Sequence, residues 1–335
     1  MSASVASVVR WSALDALSHQ FELCGIGSGT TVVALVDGAA SDELIRIALS
    51  RLGADAVLVE TVAESPPAAA GAEVLSRLAA AVDIVVDATR SGTAIPERLG
   101  ETRWLRVHNQ AATAVHTPSA SLARRIDALV DGIVAAERLV LSDRHGTELH
   151  INLGNVAIRA DDGVVAAPGA MGSYPTGWVE LTPAASSVTG DIVLMPGDTN
   201  LAIGDFIRSP TRLSIQDDLL TAIDGDHGDG DALRALIEHL DDPLAYGVSR
   251  LTLGMHALGA QEEVFDAKLV DPLVARLTGG MVTIAFGDNP HAGRACAGTV
   301  TVGLRDRTVA FDNTIVINAG HLWGPYAPDV YERPT

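Results

Sequence analysis

The segment GDNPHAGRACAG, Gly287 to Gly298, brings an Asp, an Asn, a His and an Arg together in a glycine-rich stretch. Asp288 and His291 are residue types that move protons, and Asn289 and Arg294 can orient a polar or anionic group. The next residues, TVTVGLRD, alternate as a strand does, so Thr299 and Thr301 share one face. A threonine becomes a nucleophile only beside a base, and His291, Asp288 and Tyr174 are the candidates for that role. Cys296 follows Arg294, which favours a thiolate, but we read it as a small buried structural cysteine.

Other motifs point away from familiar chemistries. DGDHGDGD, Asp224 to Asp231, resembles a calcium loop, but the fifth position is Gly228 and the twelfth is Ala235, where oxygen ligands are needed. We read it as a turn whose Asp231 caps the next helix. CGIGSGTT, 24–31, has its glycines before a strand, whereas a dinucleotide loop follows one. The ten histidines form no H-E-x-x-H or H-x-H pair, and no G-x-S-x-G elbow is present. Cys24 and Cys296 are the only cysteines, which excludes a disulfide framework and a cysteine zinc site. With no early apolar run, a reduced, cytoplasmic setting is expected.

The elements that must position these residues fall into two regimes. Up to residue 138, short β-branched runs (TTVVALVD, DAVLVETV, VDIVVDAT, RWLRVHN) alternate with helical spacing, as in a parallel α/β sheet. A helix over SDELIRIALSRLG is expected to start at Ser41 and stop at Gly53. From residue 139, short alternating runs separated by Gly, Pro and Asp imply a strand-rich, antiparallel α+β domain, with one clear helix over GDALRALIEHL. The expected fold is therefore α/β: a Rossmann-like parallel-sheet domain, 1–138, then an α+β catalytic-type domain, 139–335. The net charge of −19 repels phosphate backbones and anionic lipid, so neither nucleic acid nor membrane is an expected partner. Lys268 is the only lysine, so a cationic site group is expected to be an arginine.

The ordered segments GTELHINLG, SYPTGWVELTP, GDIVLMPGD, LSIQDDLLTAI, YGVSRLTLGMHALGA and AFGDN…GTVTVGLRDRTVAFDNTIVINAG resemble the 2,5-dihydroxypyridine 5,6-dioxygenase family. The same order is similar to the related metallo-aminopeptidases of the thermophilic aminopeptidase T type. The resemblance covers nearly the whole chain. It implies iron(II) held by two His and one Asp in the dioxygenases. The resemblance puts Arg250, Thr299 and Thr301 in those places here. A further aminopeptidase ligand place is Thr283, and Arg305 matches an Arg of the family pattern.

That departure changes the expected chemistry. Arginine has no lone pair to give and stays protonated. Unit charges 4 Å apart repel by about 4 kcal/mol at an effective dielectric of about 20. An arginine offers instead a fixed charge and a fork of N–H donors for a carboxylate or oxyanion. An unpaired buried Arg250 would be costly, so it needs an acidic partner or an anionic ligand.

The expectation is a metal-independent hydrolase, lyase or isomerase with no cofactor, acting on a small carboxylate-bearing or N-heterocyclic metabolite. Arg250, Thr299, Thr301, His291 and Tyr174 are its expected catalytic residues. Arg305, Asp288, Asn289 and His256 are its expected substrate-binding residues. The alternatives are a non-catalytic ligand- or peptide-binding protein, and a metal enzyme with re-sited ligands such as His256, His291 and Asp288. A homo-oligomer is expected from the family's architecture.

Overall fold

A computed structural model describes residues 2–37, 42–60, 69–89, 100–108, 119–225, 228–257 and 272–329. The helix-cap candidate Ser41 and His227 lie outside them. Contacts divide the chain into two compact units, one of 1–123 with 161–176 and one of 124–160 with 177–335.

In the first unit the β-branched runs form β1 (Thr31–Val36), β2 (Asp55–Glu60), β3 (Ile84–Asp87) and β4 (Arg103–Val107). They pair in parallel in the order β2-β1-β3-β4, and the strand Met171–Tyr174 extends the sheet beyond β4. Helices bury both faces, which is why β1 is apolar almost throughout. Leu14 and Phe21 of the helix Ser2–Leu23, with Ile45 and Leu49 of the helix Asp42–Arg51, cover one face. Ala79, from the helix Ala69–Ala79, packs with Val33, Leu35, Val85 and Trp104 on the other. Gly53 ends the second helix with φ of 69°, the left-handed conformation expected there.

The strand Met171–Tyr174 was not legible as part of this sheet. It is four residues long and includes Gly172 and Ser173, which carry little strand propensity. Its chain segment begins at Asp161, whose carboxylate accepts from the Ser173 N–H at 3.0 Å and from the Gly163 N–H at 3.0 Å. Burial raises the Asp161 pKa despite these bonds.

The second unit holds two antiparallel sheets, as the alternating runs imply. One contains β5 (Arg138–Ser142), β6 (Glu148–Asn152) and six other strands. The other sheet, of seven strands, carries the candidate site. It includes β7 (Ala157–Asp161) and, with β8 being Met171–Tyr174, β9 (Trp178–Thr182) and β11 (Thr199–Asn200). Its centre is β15 (Val248–Gly254), β16 (Val282–Asn289) and β17 (Arg294–Leu304). The intervening numbers β10 and β12–β14 are Val188–Leu194, Asp205–Phe206, Thr211–Gln216 and Leu219–Gly225.

The helix over GDALRALIE spans Asp229–Glu238, and Gly228 occupies its N-cap with no side-chain cap bond. The expected cap, Asp231, lies inside the first turn and pairs with Arg234 at 2.6 Å. Asp229 instead accepts backbone N–H groups of Arg208 and Ser209, both at 2.8 Å, tying the helix start to the preceding loop. Among the described residues no helix is long and apolar enough to cross a membrane.

Candidate functional site

Alternation along β15, β16 and β17 sorts their side chains onto two faces. Leu251, Leu253, Val282, Ile284, Phe286, Val300, Val302 and Leu304 are all buried, at 3% exposure or less, on the core face. The other face is a floor of small hydroxyl side chains. Thr252 pairs with Thr283, Thr283 with Gly303, and Ala285 with Thr301. Thr299 lies opposite Gly287. Glu180 of β9 pairs with Thr252 in the same cross-strand row.

A β-bulge between Val248 and Arg250 breaks the β15–β16 register. Bulges bend a strand and re-aim its side chains. Here Arg250 ends on the threonine face, opposite Ala285, while the hydroxyl of the bulged Ser249 donates to the Asp288 carbonyl.

Arg250, Thr252, Thr283, Ala285, Thr299 and Thr301 form the floor of a cavity of about 220 Å³. Leu201, Ala202, Pro272 and Arg276 form its walls. Arg250 Nη2 donates to Thr299 Oγ1 at 3.2 Å, and its Nε lies 3.5 Å from Glu180 Oε2. Arg276 Nη2 donates to the same oxygen at 2.9 Å, and its guanidinium lies 4.2 Å from the centre of the Trp178 ring. The Glu180 side chain is 6% exposed, whereas those of Arg250 and Arg276 are 39% and 35% exposed. One buried carboxylate therefore orients two guanidiniums that a ligand can reach. The cation–π contact and the shared carboxylate both restrict Arg276.

Of the two expected partners for Arg250, an acidic side chain or an anionic ligand, Glu180 supplies the first. An acid inside the apolar run GWVELTP was the available signal for it. Arg276 had no local signal, because it reaches the floor from a short helix, Pro272–Leu277.

The GDNPHAGRACAG segment is a tight β16–β17 hairpin, not an open site loop. A short 3₁₀ turn, Pro290–Ala292, links the two strands. Asn289 is fully buried, accepts from Ala292 N–H at 3.0 Å and donates to the Pro183 carbonyl at 3.0 Å. Asp288 accepts from Cys296 N–H at 3.0 Å, and exposed His291 lies 2.6 Å from the Asn155 carbonyl. Cys296 is half-buried, not the buried cysteine expected. None of these four is among the described residues that line the Arg250 cavity.

The other sequence candidates also lie elsewhere. Tyr174 is 2% exposed in the core of the first unit, and burial raises its phenol pKa. His256 is buried beside Thr278 and outside the described cavity lining. Arg305 lines a separate cavity of about 750 Å³ with Arg144 and His145. The turn carrying Arg305 is fixed by Asp198, which accepts from Arg305 N–H at 2.7 Å. Asp198 and Asp143 also flank buried Arg307, at 2.5 and 3.0 Å. Burial raises the Asp198 pKa against the pull of Arg307. At Asp143 burial is outweighed by the Thr147 N–H and hydroxyl and by Arg307, so that pKa is lowered.

Among the described residues, the donors that line the Arg250 cavity do not fit iron(II). The floor offers neutral hydroxyls, and the nearest charges on its lining are two arginines. Among the described residues, no group of three or more His, Cys, Asp or Glu is placed to hold a metal ion. The four positions matched to metal ligands, Arg250, Thr283, Thr299 and Thr301, nonetheless converge on this one cavity.

Comparison with known proteins agrees with the order of segments. A 2,5-dihydroxypyridine 5,6-dioxygenase from Pseudomonas putida is 26% identical over 258 residues, covering 73% of this chain and 72% of the relative. The solved structure of the Pseudomonas putida 2,5-dihydroxypyridine dioxygenase superposes with a TM-score of 0.77 at 22% identity, covering 93% of this chain and 97% of that one. Wild-type AmpT from Thermus thermophilus superposes with a TM-score of 0.62 at 15% identity, covering 94% and 98%. The family model described as 2,5-dihydroxypyridine 5,6-dioxygenase matches residues 12–324, and the chain belongs to that family.

Proposed function

We propose that this family member holds a small carboxylate-bearing or N-heterocyclic metabolite against Arg250 and Arg276. It acts on that molecule without a divalent cation, in a reaction of the hydrolase, lyase or isomerase type. The observation that carries the reading is the pair of reachable guanidiniums fixed on one buried Glu180. Such a pair binds a carboxylate through parallel N–H bonds and stabilises an oxyanion where one develops. The threonine hydroxyls below it both donate and accept, which suits ring oxygens or nitrogens.

A second reading, a non-catalytic binding protein, is favoured by one observation. His291 and Asp288, the expected proton-moving groups, are engaged in the hairpin and not on the cavity. Titration of the purified protein with a panel of small acids and dihydroxypyridines, with mass analysis of each mixture, separates the two. Binding with product supports the enzyme, and binding without product supports the second reading. A divalent metal at one per chain in protein as purified would overturn the metal-free assignment.

A further inference from the structure

We infer that Thr299 selects, for this cavity, acids that carry a bare lone-pair acceptor beside the carboxylate, the class of the pyridine-2-carboxylates. The inference rests on the anion-binding reading above and specifies its ligand.

The direction of one hydrogen bond carries the argument. Arg250 Nη2 lies 3.2 Å from Thr299 Oγ1, and a guanidinium can only donate, so the hydroxyl oxygen accepts. The proton of that hydroxyl has no acceptor among the described residues. Gly287 is the cross-strand partner of Thr299 and puts no side chain over it. An added Cβ at Gly287 would collide with the Gly298 carbonyl, so the backbone approach itself keeps that space open. Thr299 lines the cavity, and that is where its proton finds a partner.

Arg250 and Thr299 thus make one end of the cavity a pair of donors. Arg250 Nη1 has no hydrogen-bond partner among the described residues and takes a carboxylate oxygen. The ligand atom beside that carboxylate meets the Thr299 hydroxyl. A lone pair there accepts its proton. An N–H there must share an oxygen already held by a cation, and it leaves the hydroxyl proton unpaired.

The rest of the floor also awaits a polar partner. Thr252 and Thr283 are 2% and 5% exposed and line the cavity, yet their hydroxyls bond no described residue. Buried hydroxyls without a partner are costly, and the polar substituents of a ring remove that cost. Liquid water takes about 30 Å³ per molecule, so the cavity of about 220 Å³ has room for roughly seven waters or one ring with its carboxylate.

Calorimetric titration with pyridine-2-carboxylate and pyrrole-2-carboxylate, at neutral pH in metal-free buffer, tests this. Both are single-ring monocarboxylates, and the nitrogen beside the carboxylate is an acceptor in the first and a donor in the second. The wild-type chain is expected to bind the pyridine acid at least about tenfold more tightly. Thr299→Val removes the hydroxyl and is expected to bring the ratio towards one. Thr299→Ser keeps a hydroxyl and is expected to keep the ratio. A merely structural Thr299 would change both affinities together and leave the ratio of Thr299→Val unmoved, which overturns the inference. Equal binding by the wild-type chain, or a preference for the pyrrole acid, also overturns it, whether or not Thr299→Val folds. If the wild-type chain binds neither acid, the anion-binding reading itself fails.

Discussion

The Arg250 guanidinium bridges two strands that are not neighbours: it reaches Thr299 Oγ1 of β17 at 3.2 Å across β16, and Glu180 of β9 at 3.5 Å on its other side. A side chain stretched between a hydroxyl and a carboxylate is held in one pose before any ligand arrives. Preorganisation of this kind strengthens binding by lowering the ordering cost.

Arg250→Ala should therefore weaken binding of any small acid with little effect on folding, because the side chain is 39% exposed. Hydrogen bonds to charged groups contribute about 1.5–3 kcal/mol, which corresponds to roughly ten- to hundredfold in affinity. Arg250→Lys restores the charge without the fork, so it should recover only part of the loss. Titration alongside thermal melting checks both. Unchanged affinity in Arg250→Ala would remove this residue from the site.

The proposed match between this cavity and the family's metal position has a constructive test. Arg250→His, Thr299→His and Thr301→Asp together supply two imidazoles and a carboxylate on one wall. The triple variant should take up iron(II) or zinc when loaded anaerobically and desalted, whereas the wild-type chain should not. Elemental analysis reads the outcome. Failure of a folded triple variant to hold either metal would show that these residues do not occupy the family's ligand positions.

Buried Arg307 should matter more to stability than any residue lining the Arg250 cavity. Its 2%-exposed side chain lies between Asp143 and Asp198, and its Nη2 also donates to the Val193 carbonyl at 2.8 Å. Arg307→Ala leaves two buried carboxylates without their shared cation, a change that costs about 3–5 kcal/mol. A urea midpoint within error of wild type would contradict that placement.

Much of this architecture is legible in the sequence. The parallel sheet followed from continuous β-branched runs alternating with helices, and the floor followed from the T-V-T-V alternation of residues 299–302, which puts every second residue on one face. The need of Arg250 for an acidic side chain or an anionic ligand followed from the cost of an unpaired charge, and Glu180 is such a side chain. What failed was proximity in space. Asp288, Asn289 and His291 cluster in sequence, but a tight hairpin spends their polar atoms on the backbone, and no periodicity reports that. Arg276 and Trp178 are nearly a hundred positions apart in sequence, a pairing that only the folded sheet creates.

Acid should weaken the parallel sheet of the first unit through a staple between Thr31 and Asp83. The Asp83 carboxylate accepts both the N–H and the hydroxyl of Thr31 at 2.8 Å, and the Asp83 N–H donates back to the Thr31 hydroxyl at 3.0 Å. The two bonds from Thr31, backbone first, hold the Asp83 pKa below its ordinary value. The folded form therefore releases this proton more readily than the unfolded chain does. The stabilisation is fully present above the unfolded Asp value, about 3.9, and is lost as pH falls through the depressed folded value. Asp83→Asn lacks the charge at every pH, so it should be the less stable form at neutral pH. Its gap to wild type should shrink as pH drops below about 4. Urea midpoints of both proteins between neutral pH and about pH 3 follow that gap, and a gap independent of pH would rule the staple out as a source of acid sensitivity.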